Sequence, residues 1–591
     1  MGKLKSVYIN TFTFLKAITL IIILFLPFHL VSSQIRSEDL DYSIIKKVNY
    51  NDFKPKIGKE GGVLVRALSG DPKTFNPALA QETTSTAVIG YLFRGLTKTN
   101  VKTLLPEPDL AERWEHNQDG TVWKVYLKKG LKWSDGKPFT ADDVVFTYNQ
   151  IYYNPKIPTS VRDVLLVDGK PFKVKKIDDY TVEFILPKPF AFFLDSIGVE
   201  ILPKHKLEKY VKNNTFLQAW SVNTNPKDLV GLGGYIIDKY SQGQYVLYRR
   251  NPYFEEKDSK GQKLPYITKI VSPIMSDPDY QLIKFLDGKI DYLSIRPIDL
   301  VEVIKKAKER KNITIYNLGA TPSTLFIVFN QNPNAPIPKY KLKWFRNTKF
   351  RQAISYAVNR RRIIKLVYNG FAYPIYTAIT PANKRLYDED FYPKYPFNLK
   401  KAKELLLSIG FKEGKDGYLY DKEGHRLEFT LMTNAGSKER ELIGIIVKED
   451  LKKIGIKVNF ALVDFNKLVN DLTESYNWEG VIIGLTGSKT PYFGQNVWLS
   501  SGSLHMWYPR QKKPATEWEA KIDELFKKAS TELDPDKRDM YYKEAFKIIG
   551  EQQPMIFLVA PETLLAINNR LKNVFPTVWG WYKEKMVYIE K

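Results

Sequence analysis

The sequence runs to 591 residues, 43% hydrophobic and 26% charged, with no cysteine and a formal charge of +25. That length is enough to bury more than one core, and the composition excludes a disordered or multiply membrane-spanning chain. The missing cysteines exclude disulfides, a thiolate nucleophile and thiolate-ligated metal. The basic excess is interleaved with acids, as in Lys438-Glu439-Arg440-Glu441, without finger or zipper spacing, so it reads as a solvated surface and not as a nucleic-acid site.

The start reads as an export signal: Lys3, Lys5 and Lys16 precede a fifteen-residue apolar run from Ala17 to Val31, with a cleavage site after Ser33. The run is short for a bilayer that needs about twenty residues, so cleavage is expected and an uncleaved anchor is the alternative. A signal over residues 1–33 without a lipid-bearing cysteine predicts a periplasmic protein. Residues 34–60 are polar and aperiodic, a linker or an extended arm, and folding is expected from Gly61.

After a short strand at Val63-Leu64-Val65, the clearest local pattern lies between Asp119 and Tyr152. Trp123, Val125 and Leu127 alternate with polar residues, predicting a strand with one buried face. Thr140 is placed to cap a helix at Asp143, with Phe139 stapled to Val144 and Val144, Tyr148, Ile151 and Tyr152 on one face. Adjacent Asp142 and Asp143 read as first-turn carboxylates facing the helix dipole, not as a catalytic pair. Further on, helices are predicted over 347–358, after Asn359, over 399–409 and over 439–454, the last two stopped by Gly410 and Gly455. A strand over 456–463 follows, and this order predicts a mixed α/β fold.

No catalytic or metal-binding constellation emerges. The five histidines are scattered, no nucleophile elbow occurs, and the phosphate-loop candidate from Gly130 to Lys137 has the wrong spacing. No cofactor and no metal are expected. An exported hydrolase whose residues converge only in space stays open as an alternative.

Residues 119–149, DGTVWKVYLKKGLKWSDGKPFTADDVVFTYN, closely resemble the hallmark segment of the peptide- and nickel-type solute-binding proteins of ABC importers, extracellular solute-binding family five. SGDPKTFNP at 69–77, LFRGL at 92–96, PDLAERW at 108–114, RNPYF at 250–254, DGKID at 287–291, FRQAISYAVNR at 350–360 and LKKAKELLLSIGF at 399–411 extend the likeness over residues 61–573. The resemblance implies an α/β, two-lobed fold of the type II periplasmic-binding-protein kind, peptide-binding-like, with a discontinuous first lobe. Lobe one would comprise 61–101, 231–320 and 561–591, with an inserted subdomain at 102–230, and lobe two would span 321–560.

The same resemblance implies a monomeric carrier that encloses a small solute, a peptide first of all, between hinged lobes. It would deliver that solute to membrane permease subunits driven by a cytoplasmic ATPase. By analogy, ligand contacts fall at Gln81, Glu82 and Thr83 in lobe one. In lobe two they fall at Thr486, Gly487, Ser488, Asn496 and Trp498, with Asn330 and Phe557 near the hinges. Peptide-binding relatives usually carry Gly-Trp-x-x-Asp where this chain has Gly484-Leu485-Thr486-Gly487-Ser488, so the acid that pairs with a peptide's amino terminus is replaced by Ser488. An oligosaccharide, a conjugate or a metal chelate is therefore the alternative solute. A peptide-handling chaperone is the alternative from another class. Trp498 and Trp507 are read equally as ligand contacts or as packing under the loop.

Overall fold

The alternation at 123–127 becomes an inner strand of an antiparallel sheet. In the computed structural model, which describes residues 41–49, 53–80, 82–167 and 169–590, strands Ala111–His116, Val122–Leu127, Thr181–Ile185 and Lys173–Asp178 lie side by side in that order. Trp123, Val125 and Leu127 are buried. The helix Ala141–Phe146 that follows carries a complete capping box between Thr140 and Asp143, and it widens into a π-type turn over Thr147–Tyr152. Val144, Tyr148, Ile151 and Tyr152 are all fully buried.

Asp142 pairs with Lys176 at 2.7 Å, a surface contact that fits the dipole reading. Asp143 does more than face a dipole. Its carboxylate accepts from Thr140 N (3.1 Å), Lys204 N (3.0 Å) and Trp133 Nε1 (3.2 Å), pinning three segments of the insert together. Burial pushes its carboxyl above the usual range despite those bonds.

The first lobe holds two sheets. One runs in the order Tyr235–Ser241, Tyr245–Arg250, Lys269–Pro273, Val63–Val65; the other runs Ile45–Lys47, Ile313–Ala320, Val559–Asn568, Tyr292–Ile295. The stretch expected to be a linker or arm thus contributes a strand, with Ile45–Lys47 pairing in parallel with residues 315–317. Asp291 joins the two sheets: its backbone N–H donates to Val65 O (2.8 Å), and its Oδ2 accepts both Val65 N (2.7 Å) and Arg570 Nη2 (2.8 Å). Fully buried and charged, Asp291 is tolerable there because the guanidinium and the backbone amide answer it.

The second lobe is built on a mixed sheet in the order Lys457–Val463, Glu428–Asn434, Gly480–Leu485, Thr324–Phe329, Met555–Phe557. Helices Thr348–Ala357, Arg360–Tyr368, Leu399–Ser408 and Lys438–Lys452 match the predicted ones to within two residues. Asn347 and Asn359 cap the first two, as their side chains suggest. On the helical side the rings of Phe329, Phe345, Phe350 and Phe429 meet in one cluster; the opposite face packs with helices Glu517–Thr531 and Pro535–Gln552. The proposed signal over 1–33 lies outside the described residues. Among the described residues no helix is long and apolar enough to cross a membrane.

Candidate functional site

Two short connections carry the chain between the lobes: residues 321–323, and Leu558 between strands Met555–Phe557 and Val559–Asn568. They are laced to one another. Thr321 N donates to Pro561 O (2.7 Å), Leu558 N to Leu325 O (2.8 Å), and Thr380 Oγ1 to Thr321 O (2.8 Å). The loop leaving strand Gly480–Leu485 rests on this crossing: a Cβ built on Gly487 would stand 2.0 Å from the Pro322 carbonyl oxygen. Only glycine fits that approach.

Of the residues expected to meet ligand, Thr486, Ser488 and Asn496 are exposed, Gly487 is half-buried, and Trp498 is half-buried with its ring edge-on to Phe546 at 5.2 Å. Ser488 Oγ donates to Thr490 O (2.6 Å), so the hydroxyl that replaces the expected acid is already engaged locally. Gln81 lies outside the described residues. Glu82 caps helix Thr83–Leu92, accepting from Ser85 N (2.7 Å) and Thr84 Oγ1 (2.6 Å). Burial pushes its carboxyl up, but those bonds outweigh burial and hold it at about 2. Thr83 is exposed in the first turn.

Asn330 is buried and its amide is committed to Tyr476 O (2.9 Å) and Trp478 O (3.0 Å). Phe557 is fully buried, and its carbonyl accepts from Arg360. The structure therefore brings the loop at Thr486–Ser488 to the crossing, carries Asn496 and Trp498 on a short helix, Gln495–Trp498, further along the same segment, and leaves Glu82, Asn330 and Phe557 occupied by the fold.

A second contact between the lobes lies away from the crossing. The ring of Phe192 from the insert stacks on Tyr492 from the second-lobe loop (4.6 Å between centroids, 19° between planes), and Arg538 lies over Phe192 at 5.0 Å. Ala191 N donates to Ser530 O (2.9 Å). Beside them burial, opposed by Arg538 and Lys489, pushes Asp195 up to about 6.

Arg440, taken in the sequence reading as part of a solvated charge run, has a different setting in the structure. It lines a cavity of about 390 Å³ at the crossing, together with Ser294 and Ile295 of the first lobe, Thr321 and Pro561 of the connections, Phe371 of the second lobe, and two acids, Glu439 and Glu562. Among the described residues its guanidinium makes no ion pair and no hydrogen bond. Burial holds its pKa below the usual range, against the pull of Glu439 and Tyr368. A half-desolvated guanidinium open to an interlobe cavity is suited to a carboxylate. No cluster of three or more metal-ligating side chains occurs among the described residues.

A model of the bacterial extracellular solute-binding proteins, family 5, matches residues 106–504. A probable ABC transporter-binding protein of Deinococcus radiodurans is 32% identical, the match covering 91% of this chain and 93% of that protein. The solved structure of the oligopeptide-binding protein AppA from Bacillus subtilis, in complex with a nonapeptide, superposes with a TM-score of 0.68 at 28% identity, covering 90% of this chain and 100% of that one. NikZ from Campylobacter jejuni, in complex with Ni(L-His), gives 0.67 at 27% identity, covering 88% and 99%.

Proposed function

Because this chain belongs to the bacterial extracellular solute-binding proteins, family 5, we propose that it captures peptides between its lobes for an ABC importer, with Arg440 receiving the carboxylate. The family and its neighbours are solute-binding proteins and not enzymes. Ligand that touches both lobes is held only when they are closed, so binding shifts the open–closed population, and the closed form is what the permease reads. The exposed backbone and hydroxyls at Thr486 and Ser488, with half-buried Trp498, would meet the amides and side chains of the ligand, leaving sequence loosely read. The carrier works as a monomer in the periplasm, and its permease is driven by a separate ATPase.

The observation that carries this reading is the unpaired guanidinium of Arg440 in a cavity bounded by both lobes. Calorimetric titration with a mixed tripeptide pool tests it. Saturable heat is expected, with the peptides recovered intact, and Arg440→Gln lowers affinity at least tenfold for free-acid peptides while sparing their C-terminal amides. Shortened peptides, or equal losses for acid and amide, would remove it.

A second reading, a non-peptide solute such as an oligosaccharide, a conjugate or a metal chelate, is favoured by Ser488, which offers no charge to a free amine and has its hydroxyl engaged by Thr490 O. Native mass spectrometry of the protein from its own periplasm separates the two by the mass of what stays bound.

A further inference from the structure

A cavity of about 870 Å³ lies within the second lobe, between helix Arg360–Tyr368 and the segment over residues 373–397, whose start borders the crossing where Ile375 N donates to Leu558 O (3.2 Å). No residue of the first lobe lines it. Its size is that of a small-molecule site and not of a packing defect.

Its walls are largely aromatic rings, and two of them have their polar ends already satisfied. Tyr392 donates its hydroxyl to Leu386 O (2.8 Å) and Tyr395 to Gly550 O (3.0 Å), so what the rings offer a guest is apolar area. Two large apolar side chains of the lining stand open to solvent, Leu366 at 56% exposure and Phe397 at 41%.

The charges around the cavity do not balance. Its two acids each face a cation, Asp388 facing Lys543 at 3.9 Å and Glu389 facing Lys394 at 3.4 Å. Arg362 is turned to Glu449. Arg360 is 3% exposed and gives its N–H groups to carbonyl and hydroxyl oxygens, among them Phe557 O (2.6 Å) and Ser355 Oγ (2.9 Å); no carboxylate pairs with it among the described residues. Those oxygens use up its donors, but its positive field remains. Exposed Arg361, next to it in sequence, has no ion pair among the described residues and therefore has free donors.

We propose that this cavity is a second binding site, separate from the interlobe cleft, for a small amphipathic carboxylate whose apolar body lies among the rings and whose head meets Arg361. The pairing follows from the lining: apolar burial supplies most of the affinity, and the uncompensated guanidinium selects the sign of the head group.

Decanoate, titrated into the full chain by calorimetry below its micellar concentration, is the probe. One saturable site per chain is expected. Arg361→Glu and Leu366→Glu, both at exposed positions where unchanged melting curves check the fold, should each weaken binding at least tenfold, and decanoate methyl ester should bind at least tenfold more weakly than the acid. Absence of saturable binding, binding that survives both substitutions, or equal affinity for acid and ester would overturn the proposal.

Discussion

Trp498 and Trp507 stand nine residues apart in one continuous segment, yet they have different environments. Trp507 is 1% exposed and donates Nε1 to Glu519 (2.9 Å); the same carboxylate accepts from His505 Nε2 (3.2 Å), Gln511 Nε2 (2.7 Å) and Thr516 Oγ1 (2.8 Å). The backbone carbonyl of Trp507 accepts Gln331 N (2.8 Å), tying the segment to the end of a core strand. Trp498 keeps one edge against Phe546 and is otherwise half open beside exposed Asn496. A single buried acid thus anchors one half of the segment and leaves the other more open to solvent. The lesson is that a binding loop needs rigid ground close behind it.

The sharpest way to break this contrast is to remove the acid. Glu519→Ala leaves the buried Trp507 and His505 donors without an acceptor and takes one partner from Gln511 and half-buried Thr516, so about 3–5 kcal/mol of unfolding free energy should be lost in denaturant titration, against about 1 kcal/mol for Trp498→Ala. Equal losses at the two sites would erase the distinction between the halves.

Acid should act on the anchored half in the same direction. Burial pushes Glu519 up, but hydrogen bonds from His505, Gln511, Trp507 and Thr516 more than offset it and hold the carboxyl at about 2, below its ordinary 4.5. The folded state therefore binds its proton less readily than the unfolded chain. The resulting stabilisation, about 3 kcal/mol, is full above pH 4.5 and lost as pH falls toward 2. His505 and the more distant Arg351 are the charged or titratable neighbours on that side. Melting curves of the parent and Glu519→Gln should converge between pH 4.5 and 2.

Trp507→Phe keeps most of the volume but drops the indole donor, so about 1–2 kcal/mol is expected in the same assay. On the open half the effect should appear in binding and not in folding. Trp498→Ala lowers peptide affinity five- to tenfold in calorimetry. Ser488→Asp, which restores a charge where peptide-binding relatives usually have one, tightens free-amine tripeptides several-fold with no change in melting temperature.

Much of this was legible in the sequence. The period-two strand at 123–127, the Thr140–Asp143 box and the asparagine-capped helices of the second lobe are local patterns, and local patterns survive into the fold. Thr516 caps helix Glu517–Thr531, a start that the sequence reading did not single out. That Glu519 gathers a histidine, a glutamine and a tryptophan was not readable, because those partners come from a loop whose path depends on the whole lobe. Arg440 was hidden for the same reason. In a run of alternating charges nothing marks the one side chain that faces a cavity, and only the meeting of two lobes at Thr321 and Pro561 creates that cavity.

Strand Val559–Asn568 pairs with Ile313–Ala320 and Tyr292–Ile295 in the first lobe, and at its start with Ala372–Pro374 of the second. It follows directly on Met555–Phe557, the edge strand of the second-lobe sheet. In the order of synthesis, the second-lobe sheet gains its last member only with Met555–Phe557, and the first-lobe sheet only with Val559–Asn568. Both lobes must therefore wait on one late segment, and a ribosome stalled before it leaves two incomplete halves instead of one finished lobe and one missing.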